Sequence, residues 1–235
     1  MRVATWNIHR GRGTLGWFRP GRIAEVIAEI GPDLIALQEA QHYLRPGRDM
    51  LDFARIGHEA GLRPLILRDG PSHRGWRSNV VLVRQGAAVT FGPVGLRLGG
   101  LEPRGAILAE LDAGAGPFRV IACHLSIGAA RRSVQAAQLL AALRTGSGPG
   151  LPTLLLGDLN EWRPDRSALA VLRPEFGAAC GRPTFPSFRP SLPLDHILCR
   201  PAGLLRDIAV HDSQLARRAS DHLPLVAGFF PASQA

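Results

Sequence analysis

The sequence predicts an α/β protein: two mixed, mostly antiparallel β-sheets packed together, with helices on their outer faces. Three observations predict it. Short apolar runs of strand length alternate with runs whose apolar residues recur at helical spacing. The middle of the chain is strand after strand, punctuated by Gly and Pro. The 235 residues, 46% of them hydrophobic, bury one sizeable core without disulfides or metal clips, so a single domain over residues 1–235 is expected.

Residues 2–8 form the first strand, followed by an Arg/Gly-rich loop at 9–20. A helix is expected at about 22–30, where Ile23, Val26, Ile27 and Ile30 fall on one face, and Gly31-Pro32 stops it. Residues 33–39 (DLIALQE) read as a second buried strand ending at a polar pair, and a second helix at about 50–60 ends at Gly61. Strands follow at 62–67, 79–83, 87–91, 105–111 and 118–124, which together read as an antiparallel sheet. A helix at 129–143, a buried strand at 152–156 and a short helix near 166–172 come next, before closing strands at 194–199, 204–211 and 222–230. The segment TGSGPG at 145–150 is the expected hinge or flexible turn.

Composition narrows the function classes. The formal charge of +9 comes from 28 basic residues against 19 acidic ones, and every basic residue is Arg. With 27 Gly and 19 Pro beside it, the absence of Lys fits a genome-wide compositional bias that says nothing of partners. The other reading is a surface that attracts phosphate-bearing molecules, because a guanidinium presents a planar donor fork that matches phosphate oxygens. Cys123, Cys180 and Cys199 are odd in number and lack CxxC spacing, which argues against a disulfide framework or zinc ribbon and for buried free thiols. No run reaches about 18 apolar residues and residues 1–8 lack a signal-peptide pattern, so a cytoplasmic location is expected.

The informative polar residues sit at strand ends, where a sheet delivers side chains to a common rim. Asn7 ends the first strand and Glu39 the second, His124 follows Val120-Ile121-Ala122, and Asp158 and Asn160 follow Leu154-Leu155-Leu156-Gly157. Asp195-His196 and Asp221-His222 stand at the starts of the last apolar runs. Any one of these acids is explained by a turn. As a set they would be costly if buried singly and useful if they converge. Carboxylate and amide oxygens suit Mg²⁺ or Mn²⁺, and a neighbouring histidine supplies proton chemistry near neutral pH.

Thr5-Trp6-Asn7, Leu37-Gln38-Glu39, His124-Leu125, Gly157-Asp158-Leu159-Asn160, Leu194-Asp195-His196-Ile197 and Ser220-Asp221-His222-Leu223-Pro224 stand in the order seen in the endonuclease/exonuclease/phosphatase superfamily. The chain resembles that superfamily from residue 5 to residue 224. The resemblance implies a four-layered α/β sandwich and divalent-metal-dependent hydrolysis of a phosphate ester. It assigns Glu39, with Asn7 beside it and Asp221 as a second acid, to the metal. It assigns Asp158 to orienting or activating the attacking water, Asn160 to the phosphate or transition state, and His222, held by Asp195, to catalysis. His124 matches a position that is histidine in deoxyribonuclease-like and sphingomyelinase-like members, where the former pair it with a glutamate; residues 76–80 supply no acid for that pairing.

Outside these motifs, Asn79 and Arg104 resemble residues near the phosphate, Asn79 as a donor and Arg104 either as a clamp or as an ion-pair partner of Glu102. His9, Arg10 and Arg12 follow Asn7 and place an arginine loop at the mouth of the site, for substrate contact. His42, His58, His73, His196 and His211 read as structural or solvated. The leading expectation is a phosphodiesterase acting on a phospholipid or other small phosphodiester. A DNA or RNA nuclease with the same active site is the alternative, and a non-catalytic phosphate-binding module is the alternative of another class. Expected partners are therefore a phosphate-ester substrate, nucleic acid or a transiently bound anionic membrane surface, with no obligate protein partner.

Overall fold

A computed structural model of the protein describes residues 1–40, 49–67, 75–147 and 150–231. The chain order is β1 (Arg2–Asn7), α1 (Gly21–Ile30), β2 (Leu34–Gln38), α2 (Phe53–Ala60), β3 (Leu62–Pro64), β4 (Val80–Arg84), β5 (Ala88–Gly99), β6 (Arg104–Asp112) and β7 (Pro117–His124). It continues with α3 (Ala129–Ala142), β8 (Thr153–Asp158), α4 (Ser167–Phe176), β9 (Asp195–Arg200), β10 (Leu205–Val210), α5 (Gln214–Ala219) and β11 (Leu225–Phe229). One sheet runs β10-β11-β1-β2-β4-β3 and the other β5-β6-β7-β8-β9.

Alternation along each strand builds the layers. In β1, Val3 points to the inter-sheet core with Leu34, Val81, Ile107, Val120, Leu154 and Ile197. Its neighbours Ala4 and Trp6 point the other way, against Ile23 and Ile27 of α1, Ile56 of α2 and Ala216 of α5. On the far side Ile121, Leu155 and Leu198 pack on Ala136 and Leu139 of α3 and Leu169 and Leu172 of α4. Helix, sheet, sheet and helix are thus the four layers, with central strands such as β2 and β8 buried on both faces and the edge strands β5 and β10 partly open.

Each sheet contains one parallel pair joined by a helical crossover, as parallel strands require. β1 pairs with β2 so that Asn7 stands beside Gln38, and β7 pairs with β8 so that His124 stands beside Asp158. Their carboxyl ends lie at the same end of the sandwich. The β7–β8 approach depends on Gly157 at φ +152°, where a Cβ would stand 1.8 Å from the Cys123 carbonyl oxygen. Only glycine fits the step that delivers Asp158.

The sequence-derived elements need five corrections. The middle strands do not form one antiparallel sheet: β3 and β4 complete the first sheet, and β5 opens the second. β5 runs on to Gly99 because register shifts against β6 carry it past Gly92-Pro93. Helix α5 was not foreseen, since six residues carry too few apolar positions for a periodic signal; Ser213 caps it by accepting from the Ala216 N–H. Cys180 is exposed rather than buried, whereas Cys123 and Cys199 are buried.

The fifth correction concerns the hinge at 145–150, of which residues 148 and 149 lie outside the described residues. Residues 145–147 are anchored on a buried ion pair: Arg119 donates to Glu110 at 2.7 Å and to the carbonyls of Leu143 and Thr145, while the N–H and hydroxyl of Ser147 donate to Glu110. A second buried network ties three loops at the site end together. Gln135 of α3 donates to the Leu98 and Gly99 carbonyls and accepts from the Ser126 N–H. Arg132 donates to the Ile127 carbonyl and, at 2.9 Å, to Glu161, which also accepts from Ser167 and Arg163.

Two outcomes follow from these buried pairs. Glu110→Gln leaves Arg119 facing a neutral group in the core and should cost about 3 kcal/mol in urea unfolding. Burial alone would raise the Glu161 carboxyl, but Ser167, the Arg163 N–H and Arg132 hold it down at about 2 against 4.5 for a free side chain. Its stabilisation is therefore fully present above about pH 4.5 and is lost as pH falls through about 2. Glu161→Gln should lower the urea midpoint at pH 7, and the gap to the wild type should close progressively below pH 4.5.

Candidate active site

The carboxyl ends of β1, β2, β7 and β8 and the entry to β9 bring the sequence-selected polar residues to one rim. Asp158 is the hub. Its Oδ2 accepts from Asn7 Nδ2 at 2.9 Å and lies 3.4 Å from His124 Nε2 and 4.0 Å from His222 Nε2, while its Oδ1 accepts from the Asn160 N–H at 2.9 Å. Asn7 comes from one sheet and Asp158 from the other, so this hydrogen bond crosses the sandwich. All five of Asn7, His124, Asp158, Asp195 and His222 are buried.

His222 Nδ1 lies 2.8 Å from Asp195 Oδ2, which also accepts from the Thr184 hydroxyl at 2.6 Å. The Phe185 ring packs 4.8 Å from the His222 ring, centroid to centroid, and fixes its plane. A carboxylate on Nδ1 requires the proton there and leaves Nε2 directed toward Asp158. Burial pushes His222 down, but the Asp195 charge and hydrogen bond, with Asp158 and Asp221 behind them, carry it up to about 10. Candidate ligand atoms of Asp158, Asp195 and His222 lie within 4.8 Å of one another, yet the Asp195–His222 contact is a hydrogen bond that uses two of them.

His124 is held the opposite way. Its Nδ1 stands 2.8 Å from Arg104 NH1, a group that can only donate, so Nδ1 accepts and the ring proton sits on Nε2. Burial and the Arg104 charge outweigh Asp158 and push His124 down to about 3. The acid that the sequence lacked as a partner for His124 is replaced by a guanidinium. Arg104 itself is buried and also pairs with Glu102 at 2.7 Å. Asn160 donates to the Leu125 carbonyl at 3.0 Å and sits 3.3 Å from His124 Nε2.

Glu39, Asp221, His9, Arg10 and Arg12 line an open cavity of about 540 Å³ over this hub. Arg10 bridges Glu39 at 3.5 Å and Glu102 at 3.4 Å, and His9 lies 3.7 Å from Asp221. Asn7 Oδ1 accepts from the His9 N–H, so Asn7 shows its oxygen to the mouth and its amide to Asp158. His9, Arg10, Glu39, Ser78 and Asn160 all have φ between +45° and +68°. A non-glycine residue there is strained, and the clustering of such residues marks loops held by their surroundings.

Asn79 departs from the expected phosphate donor. Its Nδ2 is committed to the carbonyls of Trp76, Arg77 and Gly105, so it ties the turn before β4 to β6. His196 donates to the Glu161 carbonyl and His211 pairs with Glu29, both away from the hub, and His58 is exposed; His42 and His73 lie outside the described residues. Sequence reading missed Thr184 and the Arg132–Gln135 pair, and it placed Ser220 in a motif without giving it a role. Ser220 donates to the Asn7 carbonyl at 2.7 Å, and its place one residue before Asp221-His222 was the available signal. Thr184 gave none, being eleven residues from the acid it supports.

Similarity to known proteins accords with this geometry. The chain aligns with a conserved protein of unknown function from Enterococcus faecalis V583 at TM-score 0.74 and 19% identity, over 99% of this chain and 100% of that one. It aligns with the Bacteroides thetaiotaomicron VPI-5482 mannosyl-6-phosphatase Bt3783 at 0.71 and 19%, over 97% and 98% of the two chains. For the human Nocturnin catalytic domain the values are 0.69 and 21%, over 97% and 92%. At these identities the likeness is one of fold, and no curated protein sequence matches the chain significantly. The model of one family spans residues 4–222, from the strand that ends at Asn7 to His222 itself. By that match the chain belongs to the Endonuclease/Exonuclease/phosphatase family.

Proposed function

We propose that the chain is a single-domain, divalent-metal-dependent phosphodiesterase whose reaction is hydrolysis of a P–O ester bond by water. One observation carries this reading: a buried carboxylate, Asp158, lies between two histidines of opposite character, His222 held by Asp195 and His124 held by Arg104. Hydrolysis in line needs a positioned water, neutralised non-bridging oxygens and help for the leaving oxygen. Asp158 orients the water. His222, protonated on both nitrogens, donates from Nε2 to the charge that builds on the phosphoryl group or leaving oxygen. His124 is neutral and donates from Nε2 as an uncharged hydrogen-bond donor, and Asn160 adds an amide beside it.

Oxygen donors fit a hard cation at the mouth: Glu39 and Asp221 supply carboxylates and Asn7 an amide oxygen. Mg²⁺ or Mn²⁺ bound there would neutralise phosphate charge. Arg10, which now balances Glu39, would then be released toward substrate. Arg104 acts on the phosphate through His124 rather than as an open clamp.

For the substrate, exposed apolar side chains at the site end favour a phospholipid, or another small phosphodiester with an apolar part, over nucleic acid. Leu101 is 93% exposed, Leu15 86% and Ile127 77%, with Trp17, Trp162 and Phe188 also open. Aliphatic tips enter an acyl layer but do not stack on bases, and interspersed arginines suit transient contact with an anionic membrane surface. No helix among the described residues is long and apolar enough to cross a membrane. A DNA or RNA nuclease with the same site is the second reading, favoured by the arginine loop.

The test is phosphate-ester release from a phospholipid panel beside nicking of supercoiled plasmid, with Mg²⁺ or Mn²⁺ and with chelator. Chelator should abolish turnover, and Asp158→Asn and His222→Asn should each lower kcat at least about 1,000-fold with an unchanged circular dichroism spectrum. Near-native turnover by either variant would overturn the assignment, and plasmid nicking without lipid cleavage would make the nuclease the function. Glu39→Gln keeps an oxygen but loses a charge, so calorimetric Mn²⁺ titration should give at least about tenfold weaker binding. An unchanged isotherm would remove Glu39 from the metal site.

A further inference from the structure

A second cavity, of about 340 Å³, lies beside the mouth and is lined by Trp17, Arg19, Arg22, Arg218, Leu15, Thr14 and Gly13. The 9–22 loop and the segment before His222 are common to both cavities: His9, Arg10 and Arg12 face the first, and Arg218 stands three residues before Asp221. Its walls are ordered by backbone contacts. Thr14 donates to the Arg217 carbonyl at 3.0 Å, Arg22 to the Arg218 carbonyl at 3.2 Å, and a Cβ on Gly13 would stand 2.2 Å from that same oxygen.

The arginines of this cavity face solvent with no carboxylate beside them. Arg10 and Arg104 at the active site, and Arg217 next door, each have a carboxylate partner. Arg19, Arg22 and Arg218 have none within 4.0 Å among the described residues, and no acid lines the cavity. Arg22 lies in the first turn of α1, where the helix dipole disfavours a cation, and that turn has neither an acid nor a side-chain cap. An oxyanion would supply the counter-charge that this first turn lacks, and guanidinium forks match phosphate oxygens. The 68% exposed indole of Trp17 offers an apolar wall beside them.

We propose that this cavity is a second oxyanion subsite, which takes a phosphate-type group of the substrate remote from the ester cleaved, with the adjoining apolar or ring portion against Trp17. The inference rests on the phosphoesterase reading for its role, but its test needs no turnover. Phenylphosphonate, whose P–C bond ester hydrolysis does not break, is titrated into the Mg²⁺-loaded protein while indole fluorescence is followed. Saturable quenching that is absent in Trp17→Phe is expected, weakened at least tenfold in Arg22→Gln and in Arg218→Gln, and retained in Asp158→Asn. Quenching that is independent of Trp17, or unchanged by both arginine substitutions, overturns the subsite. If hydrolysis fails in Asp158→Asn while Trp17 quenching is missing in the wild type, the subsite alone falls; if Asp158→Asn hydrolyses normally while quenching behaves as expected, only the active-site reading falls.

Discussion

The hydrogen bond from Asn7 to Asp158 sets the condition on which everything else depends, because its two ends belong to different sheets. It can form only if the sheets pack face to face with β1 and β8 in register at one end. The inter-sheet core of Val3, Ala36, Ala122 and Leu156 supplies that packing, and the small residues among them let the strands approach. The polar rim is thus a product of core complementarity and not of the loops alone. The loops refine it: α3, on an outer face, reaches through Arg132 and Gln135 to hold three of them at once.

The two histidines illustrate how neighbours assign roles to identical side chains. Both are buried and both face Asp158, so burial and that carboxylate do not distinguish them. The difference lies on Nδ1, where one ring meets the carboxylate of Asp195 and the other the guanidinium of Arg104. A carboxylate and an obligate donor fix opposite proton inventories on the two rings.

Much of this was legible in the sequence, for definable reasons. A single polar residue at a strand end is ordinary turn chemistry, but Asn7, Asp158 and Asp195 stood out as a set against their apolar runs. The βαβ units were legible because Ile23, Val26, Ile27 and Ile30 repeat at helical spacing between two apolar strands. What could not be read were relations between distant segments. Nothing local to Thr184 points to Asp195, nothing at Arg104 distinguishes a phosphate clamp from a histidine partner, and Asn79 looks like a free donor until three carbonyls surround it. Sheet membership failed for the same reason: β4 and β5 follow each other in sequence, yet they belong to different sheets.

The exclusive use of arginine has a consequence for how this surface behaves as conditions change. A lysine rim loses charge as pH approaches about 10.4 and is open to acetylation, whereas guanidinium stays charged beyond pH 12. The charge that an all-arginine rim contributes is therefore a fixed background near neutral pH. Any variation of ligand capture with pH reports the ligand's own ionisation or that of the histidines and carboxylates inside. Ionic strength, which screens a fixed charge without titrating it, is the variable by which this rim can be turned down.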